Sequence, residues 1–276
     1  MEISDFLTQA RDSNYEIRKL GEDRIEQNAL SNFGQFMYAC SRELADDNKL
    51  KLNRQLAATL IKNMLNYMPK FVGKWETLGQ DLKSEVKSAV LSTLASVDLD
   101  IRKAAALCVA GIYRLEQPTN QWPDLIAVLV KTCSNDNQNF QTAAIMALGY
   151  ISQEVNQSDF SVADVDKILS AFIFLLKTPN LNIEVLKTTL ISFMNYIPFA
   201  KKNFEEQVID ILLTQQKGER TIILDIILFQ LNNSYLEIRV ITMQCLNEVA
   251  KNFYDYLQND IQRIFSTLKE HVIYFS

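Results

Sequence analysis

In Cys108-Val-Ala-Gly-Ile-Tyr-Arg-Leu-Glu-Gln-Pro-Thr-Asn-Gln-Trp-Pro-Asp-Leu125 one helix ends, the chain turns, and a second helix begins. Ile101, Ala105, Cys108, Ile112 and Leu115 recur at helical spacing, so one face of the first helix is apolar and built of small residues. Pro118 stops that helix, because it has no amide hydrogen to donate and its ring clashes with the preceding turn. Asn120 offers a side-chain cap for the next helix, and Pro123 fits a first turn whose amides lack partners anyway. Asp124 adds a favourable charge at the positive end of that helix. The stretch reads as a helix hairpin.

The same unit recurs. Asn14-Tyr-Glu-Ile-Arg-Lys, Leu99-Asp-Ile-Arg-Lys and Tyr235-Leu-Glu-Ile-Arg-Val each place an acidic residue, Ile and Arg at a helix start. Weaker copies begin at Leu52-Asn-Arg-Gln, Asn139-Phe-Gln-Thr and Asn182-Ile-Glu-Val-Leu-Lys. Their spacing of roughly 40 to 50 residues is that of HEAT and armadillo arrays. In the three stronger copies the acidic residue suits the helix N-terminus, Ile turns inward, and Arg can reach a polar group of the neighbouring repeat. Small residues at Ala57-Ala58, Ala104-Ala105-Ala106 and Ala143-Ala144 allow close helix approach. The expected fold is all-α, a right-handed HEAT-repeat superhelix of about six repeats plus one extra helix. The repeats fall at 2–28, 32–66, 82–115, 121–155, 162–196 and 202–252, with extra length around 215–218 and a lone helix over 254–276. The chain then forms one array over 1–276, and its apolar end, Val272-Ile-Tyr-Phe-Ser, predicts a C-terminal truncation.

Composition agrees with helices. The 276 residues are 48% hydrophobic and 22% charged, with only 7 Gly and 5 Pro, too few for the many turns of an all-β chain. A net charge of −5 speaks against a basic nucleic-acid surface. Cys40, Cys108, Cys133 and Cys245 form no CxxC pair and read as thiols in a reducing compartment, Cys108 and Cys245 on apolar helix faces. No basic n-region precedes an apolar run at the start, and Asp225 interrupts the longest apolar run, over 222–229. Together these predict an intracellular protein without membrane insertion, so the sequons at Asn156 and Asn232 carry little meaning.

Chemistry is sparse. The one histidine, His271, has no serine or cysteine motif near it, and no phosphate-cradling glycine loop occurs. Asp46-Asp47 and Glu205-Glu206 read as solvated carboxylates in turns, and no His/Cys/Asp cluster has metal-ligand spacing. No catalytic residue, cofactor or metal site is expected.

Asn120-Gln-Trp-Pro-Asp-Leu-Ile126, Cys108-Val-Ala-Gly-Ile, Leu148-Gly-Tyr-Ile-Ser-Gln-Glu-Val155 and Ala57-Ala-Thr-Leu-Ile-Lys-Asn63 together resemble the N-terminal region of the importin-β (karyopherin-β) family. Glu85-Val-Lys, Val90-Leu-Ser-Thr-Leu94 and Lys202-Asn-Phe204 extend the resemblance, in order, over essentially the whole chain. Residues 1–100 correspond to the family's N-terminal region with repeats one, two and the first helix of three. Residues 101–276 run from there to the start of repeat seven.

The resemblance implies a non-enzymatic nuclear transport receptor found in cytoplasm, nucleus and nuclear pore, and a monomer. It implies binding of the GTP form of the GTPase Ran on a concave face made by second (B) helices. Lys62, Asn63, Gln153 and Glu154 are the contacts it carries over; each also reads as an ordinary exposed helix residue. It further implies Phe-Gly nucleoporin binding between convex first (A) helices of repeats five and six. Leu169, Ser170 and Ile173 match one wall; Glu219, Ile222 and Ile223 match the other, with Ile222 replacing an aromatic residue. About ten extra residues precede Glu219, a length that a surface loop tolerates. If Val208-Ile-Asp-Ile-Leu-Leu213 is instead the sixth A helix, the second wall shifts, and Ile173 and Ile223 read equally well as core. Cargo or an importin-α-type adaptor belongs to the full-length receptor. A HEAT-repeat scaffold or adaptor unrelated to transport shares the architecture, and an enzyme hidden in a helical array is the remaining alternative.

Overall fold

A computed structural model describes residues 3–205 and 218–272, with side chains through 269. The alternative sixth A helix at 208–213 lies outside the described residues. Those described form fourteen α-helices and no strand. In chain order they are α1 (Ile3–Gln9), α2 (Tyr15–Ser31), α3 (Phe33–Ala45), α4 (Lys51–Asn66), α5 (Gln80–Thr93), α6 (Leu99–Glu116) and α7 (Leu125–Thr132). There follow α8 (Gln138–Glu154), α9 (Val162–Lys177), α10 (Ile183–Tyr196), α11 (Lys201–Glu205), α12 (Glu219–Gln230), α13 (Leu236–Phe253) and α14 (Ile261–Val272). The chain divides into two compact units, Met1–Glu154 and Val155–Ser276.

The first unit holds four hairpins, α1/α2, α3/α4, α5/α6 and α7/α8. Their second helices stack, α4 on α6 and α6 on α8, and among first helices α3 packs on α5. Small buried residues permit the stacking: Ala57 and Ala58 on α4, Ala105 and Ala106 on α6, Ala143 and Ala144 on α8. Gly111 marks a point of close approach, where an added Cβ would lie 2.6 Å from the Asn66 Nδ2. The second unit holds α9/α10 and α12/α13, with α10 packed against α13 and the short α11 against α12. Phe160, Phe172, Tyr196 and Phe199 form an edge-to-face cluster there, and Phe204 of α11 stacks on Phe253 at 4.3 Å. These pairs are HEAT-type repeats, and α14 follows them as a further helix beginning at Ile261, later than the expected 254.

Polar residues at the turns set the helix starts. Asn14, Asp98, Asn137 and Asn182 accept amide hydrogens from the first turns of α2, α6, α8 and α10. The recurring arginine has a different role from the one expected. Arg18, Arg102 and Arg239 each donate to the carbonyl six residues earlier, at Asp12, Ser96 and Asn233, closing their own turn rather than reaching another repeat. Carbonyls at the end of a helix lack intrahelical partners, and the guanidinium supplies donors for them. The recurring isoleucine turns inward at Ile101 and Ile238, whereas Ile17 is 40% exposed.

Around the 108–125 hairpin, α6 ends at Glu116, just before Pro118, as expected, and Pro118 itself sits in a 3-10 turn. Asn120 does not cap the next helix. It closes the 3-10 turn in the left-handed conformation (φ 51°), which asparagine tolerates, and α7 starts only after Pro123 and Asp124. Glu116 is 1% exposed, paired to Lys87 at 2.8 Å and accepting from the Trp75 indole at 3.1 Å. Lys87 also lies 5.0 Å from the Trp122 ring centroid, so one buried cluster ties the 67–79 turn, α5, α6 and the following turn together. Removing one partner of such a pair strands a buried charge. Glu116→Ala is expected to cost roughly 3–5 kcal/mol in denaturant unfolding, and the double change Glu116→Leu/Lys87→Met much less. Equal losses in both variants would show that the pair's charge is not what matters.

Candidate functional site

Two groups of residues merit description, one in each unit. In the first, Lys62 and Asn63 lie near the end of α4, and Gln153 and Glu154 end α8. All four are at least partly exposed, and side chains between them connect the two helices. The Lys62 ammonium lies 5.4 Å from the centroid of the Tyr67 ring. The Tyr67 hydroxyl is 3.5 Å from Oε1 of Glu154, whose Oε2 is 3.7 Å from Nε of Arg114. Arg114 in turn donates to Asn66 Oδ1 at 3.1 and 2.6 Å. A row of polar and aromatic groups therefore runs across the B-helix face of three successive repeats. Sequence reasoning missed Asn66, Tyr67 and Arg114; the only available signal was their position at the ends of B helices. Between α2 and α4 a mostly apolar hollow of about 410 Å³ is lined by Ile25, Leu56, Leu60, Met64 and Phe71, with Arg11, Glu22, Glu26 and Lys70 also in its wall.

In the second unit, α9 and α12 flank a groove of about 320 Å³. The structure brings together all six residues named for this slot: Leu169, Ser170 and Ile173 on α9, and Glu219, Ile222 and Ile223 on α12. Leu169 and Ile223 are 2% and 1% exposed and form the floor, shared with the core. Ile173 and Ile222 are half-buried and form the walls. Phe174, 63% exposed at the rim, was not anticipated. Asp166 and Asn203 stand at one end, where the Asn203 Nδ2 donates to Asp166 Oδ1 at 3.1 Å and to Glu219 Oε2 at 2.6 Å. Toward the C-terminal ends of the two helices Gln230 of α12 donates to the Leu176 carbonyl of α9 at 3.2 Å.

Other groups carry structural work. Asp47 pairs with Arg54 at 2.7 Å, and Asp46 accepts the Asn48 amide, which holds its carboxyl below the usual range. Glu205 accepts from the Tyr256 hydroxyl at 2.9 Å and lies in α11, not in a turn; Glu206 and the His271 side chain lie outside the described residues. Among the described residues no group of three His, Cys, Asp or Glu is placed to hold a metal ion, and no helix is long and apolar enough to cross a membrane.

All four cysteines are free and buried, and burial pushes the thiols of Cys108, Cys133 and Cys245 up to about 12, with Cys40 also raised. A raised folded-state value favours folding below the unfolded thiol value near 9, and that contribution is lost as pH climbs toward 12. The folded chain should therefore show no fast thiol reaction with an aromatic disulfide at pH 8, and four reactive thiols once unfolded. A rapid native-state burst would contradict this burial.

No protein-family model matches the chain. It is 26% identical over 271 residues to importin subunit beta-1 of Arabidopsis thaliana, an alignment spanning 96% of this chain and 30% of that protein. Among solved structures, its fold matches Kap95p, described as a protein whose binding induces the switch loops of RanGDP to adopt the GTP-bound conformation. That match has a TM-score of 0.86 and 23% identity over 97% of this chain and 31% of Kap95p. A Kap95:Nup1 complex matches with a TM-score of 0.83 and 24% identity, over 97% and 31%. The chain spans about three-tenths of the length of these relatives. In sequence and in fold it resembles the N-terminal HEAT-repeat region of importin-β, of the karyopherin-β family.

Proposed function

We propose that this chain is the N-terminal part of a nuclear transport receptor, a non-catalytic binding module for protein import into the nucleus. It works in cytoplasm, nucleus and nuclear pore, as a monomer, without nucleic acid or membrane insertion. The observation that carries the proposal is the likeness to importin-β along nearly the entire chain, in sequence and fold together. Cargo or an adaptor engages parts of the receptor beyond this region.

The first partner is Ran in its GTP form, received on the B-helix face of the first unit. Lys62 offers a positive charge on an aromatic support, and Glu154 a carboxylate already oriented by Arg114 and Tyr67. Side chains held in place before binding lose little freedom on association. Asn63 and Gln153 supply neutral donors and acceptors beside each charge, and the mostly apolar hollow between α2 and α4 receives the partner's apolar side chains. The second partner is a Phe-Gly nucleoporin, whose phenyl ring enters the slot between Leu169, Ser170 and Ile173 on one side and Glu219, Ile222 and Ile223 on the other. Each such contact is weak, and many along one flexible chain give avidity with rapid exchange.

Charge reversal tests the first assignment. Lys62→Glu with Glu154→Lys is expected to weaken binding to GTP-loaded Ran by about tenfold or more, with helicity unchanged. Unchanged affinity would remove these residues from the interface. Ile173→Asp, which places a carboxylate in the slot wall, is expected to abolish measurable binding of a Phe-Gly peptide while leaving Ran binding intact. Undiminished peptide binding would place the nucleoporin elsewhere.

A further inference from the structure

We propose that Asn203 sets the width of the α9–α12 slot and is thereby a positioning residue for the aromatic side chain received there, an inference that rests on the nucleoporin reading above. Asn203 is 6% exposed and sits on α11, a single short turn of helix. Its neighbour Phe204 is fully buried and stacked on Phe253, which anchors the turn under α13. From that anchored position one amide nitrogen reaches both walls, Asp166 of α9 at 3.1 Å and Glu219 of α12 at 2.6 Å.

The chemistry selects the residue type. A side-chain amide carries two hydrogens on one nitrogen and no charge, so a single group can donate to two carboxylates at once. A carboxylate in its place has nothing to donate, and an aliphatic side chain leaves both acceptors without this partner. The tie also opposes a definite force. Two like charges held by one nitrogen repel, and among the described residues no ion pair engages either Asp166 or Glu219. Lys202 and Glu205, also on α11, line the adjoining polar hollow with them. Without the amide, the repulsion between Asp166 and Glu219, offset in part by Lys202 in the same hollow, favours a wider separation between the start of α12 and α9.

The C-terminal ends of α9 and α12 are held together independently by Gln230, 4% exposed, donating to the Leu176 carbonyl. Between the two amide ties stand the apolar walls Ile173 and Ile222. The slot is thus preformed at a set width. A phenyl ring entering it does not have to order the walls, so a larger share of the contact energy appears as affinity.

The test uses the whole chain, a Phe-Gly-repeat peptide and [13C-methyl]isoleucine spectra reporting Ile173, Ile222 and Ile223. Asn203→Asp keeps the shape and removes the donor. It is expected to weaken peptide binding about tenfold and shift those three methyl signals, with a lowered melting temperature but a cooperatively folded chain at the temperature of the titration. Adding Asp166→Asn to Asn203→Asp restores one amide–carboxylate bond and is expected to return at least half of the lost binding free energy and part of the methyl shifts. Asn203→Ala, which removes the donor without adding charge, should move the same methyls by less. Wild-type affinity and unmoved methyls in Asn203→Asp would overturn the proposal, as would a loss that the second substitution leaves unrelieved. If the wild-type chain binds no Phe-Gly peptide, the nucleoporin reading fails by itself, and the methyl shifts still decide whether Asn203 sets the slot.

Discussion

Close approach between successive second helices is the constraint on which the first unit depends. The α4, α6 and α8 helices meet through alanine pairs and at Gly111, where no larger residue fits without displacing Asn66. Interiors are packed densely enough that a single added methylene is felt, so these positions fix the spacing between repeats. That spacing then places Arg114 against Asn66 on one side and Glu154 on the other. A surface row of charged and aromatic groups is thus a consequence of small residues buried beneath it. The path from sequence to function runs through alanines that touch no partner.

The second unit solves a related problem with polar ties. Its apolar slot is bordered by groups that could otherwise spread, and the amides of Asn203 and Gln230 bridge the two flanking helices. The floor residues Leu169 and Ile223 belong to the core and the slot at once. A shallow slot in a solenoid is made by leaving the outer edges of core residues uncovered.

Periodicity made the architecture legible, because the repeats restart with an apolar stripe, most often after a polar cap such as Asn14, Asp98 or Asn182 and with an acidic first turn such as Glu16, Asp100 or Glu184. The slot residues came from the resemblance and not from any pattern: Leu169, Ser170 and Ile173 were carried over onto α9 and Glu219, Ile222 and Ile223 onto α12, and the fold brings the six to one groove. What a pattern could not reveal was direction. Arg102 has the reach to touch either a neighbouring repeat or its own turn, and only the fold shows that the Ser96 carbonyl accepts from it. Asn120 has the chemistry of a helix cap yet closes a left-handed turn instead, because Pro118 has already tightened the chain. The Lys87–Glu116 pair, separated by 29 positions, was invisible because no local signal distinguishes a buried glutamate from a solvated one. Tyr67 and Arg114 were missed for the same reason: their contacts with Glu154 arise only on stacking.

The central claim is that the B-helix face distinguishes the two nucleotide states of a transport GTPase. Titration of the wild-type chain with Ran loaded with a non-hydrolysable GTP analogue, and in parallel with GDP, tests it most directly. The account predicts saturable one-to-one binding to the GTP form and at least tenfold weaker binding to the GDP form, since discrimination is a difference between two affinities. Equal affinity for both forms, or no binding to either, would contradict it.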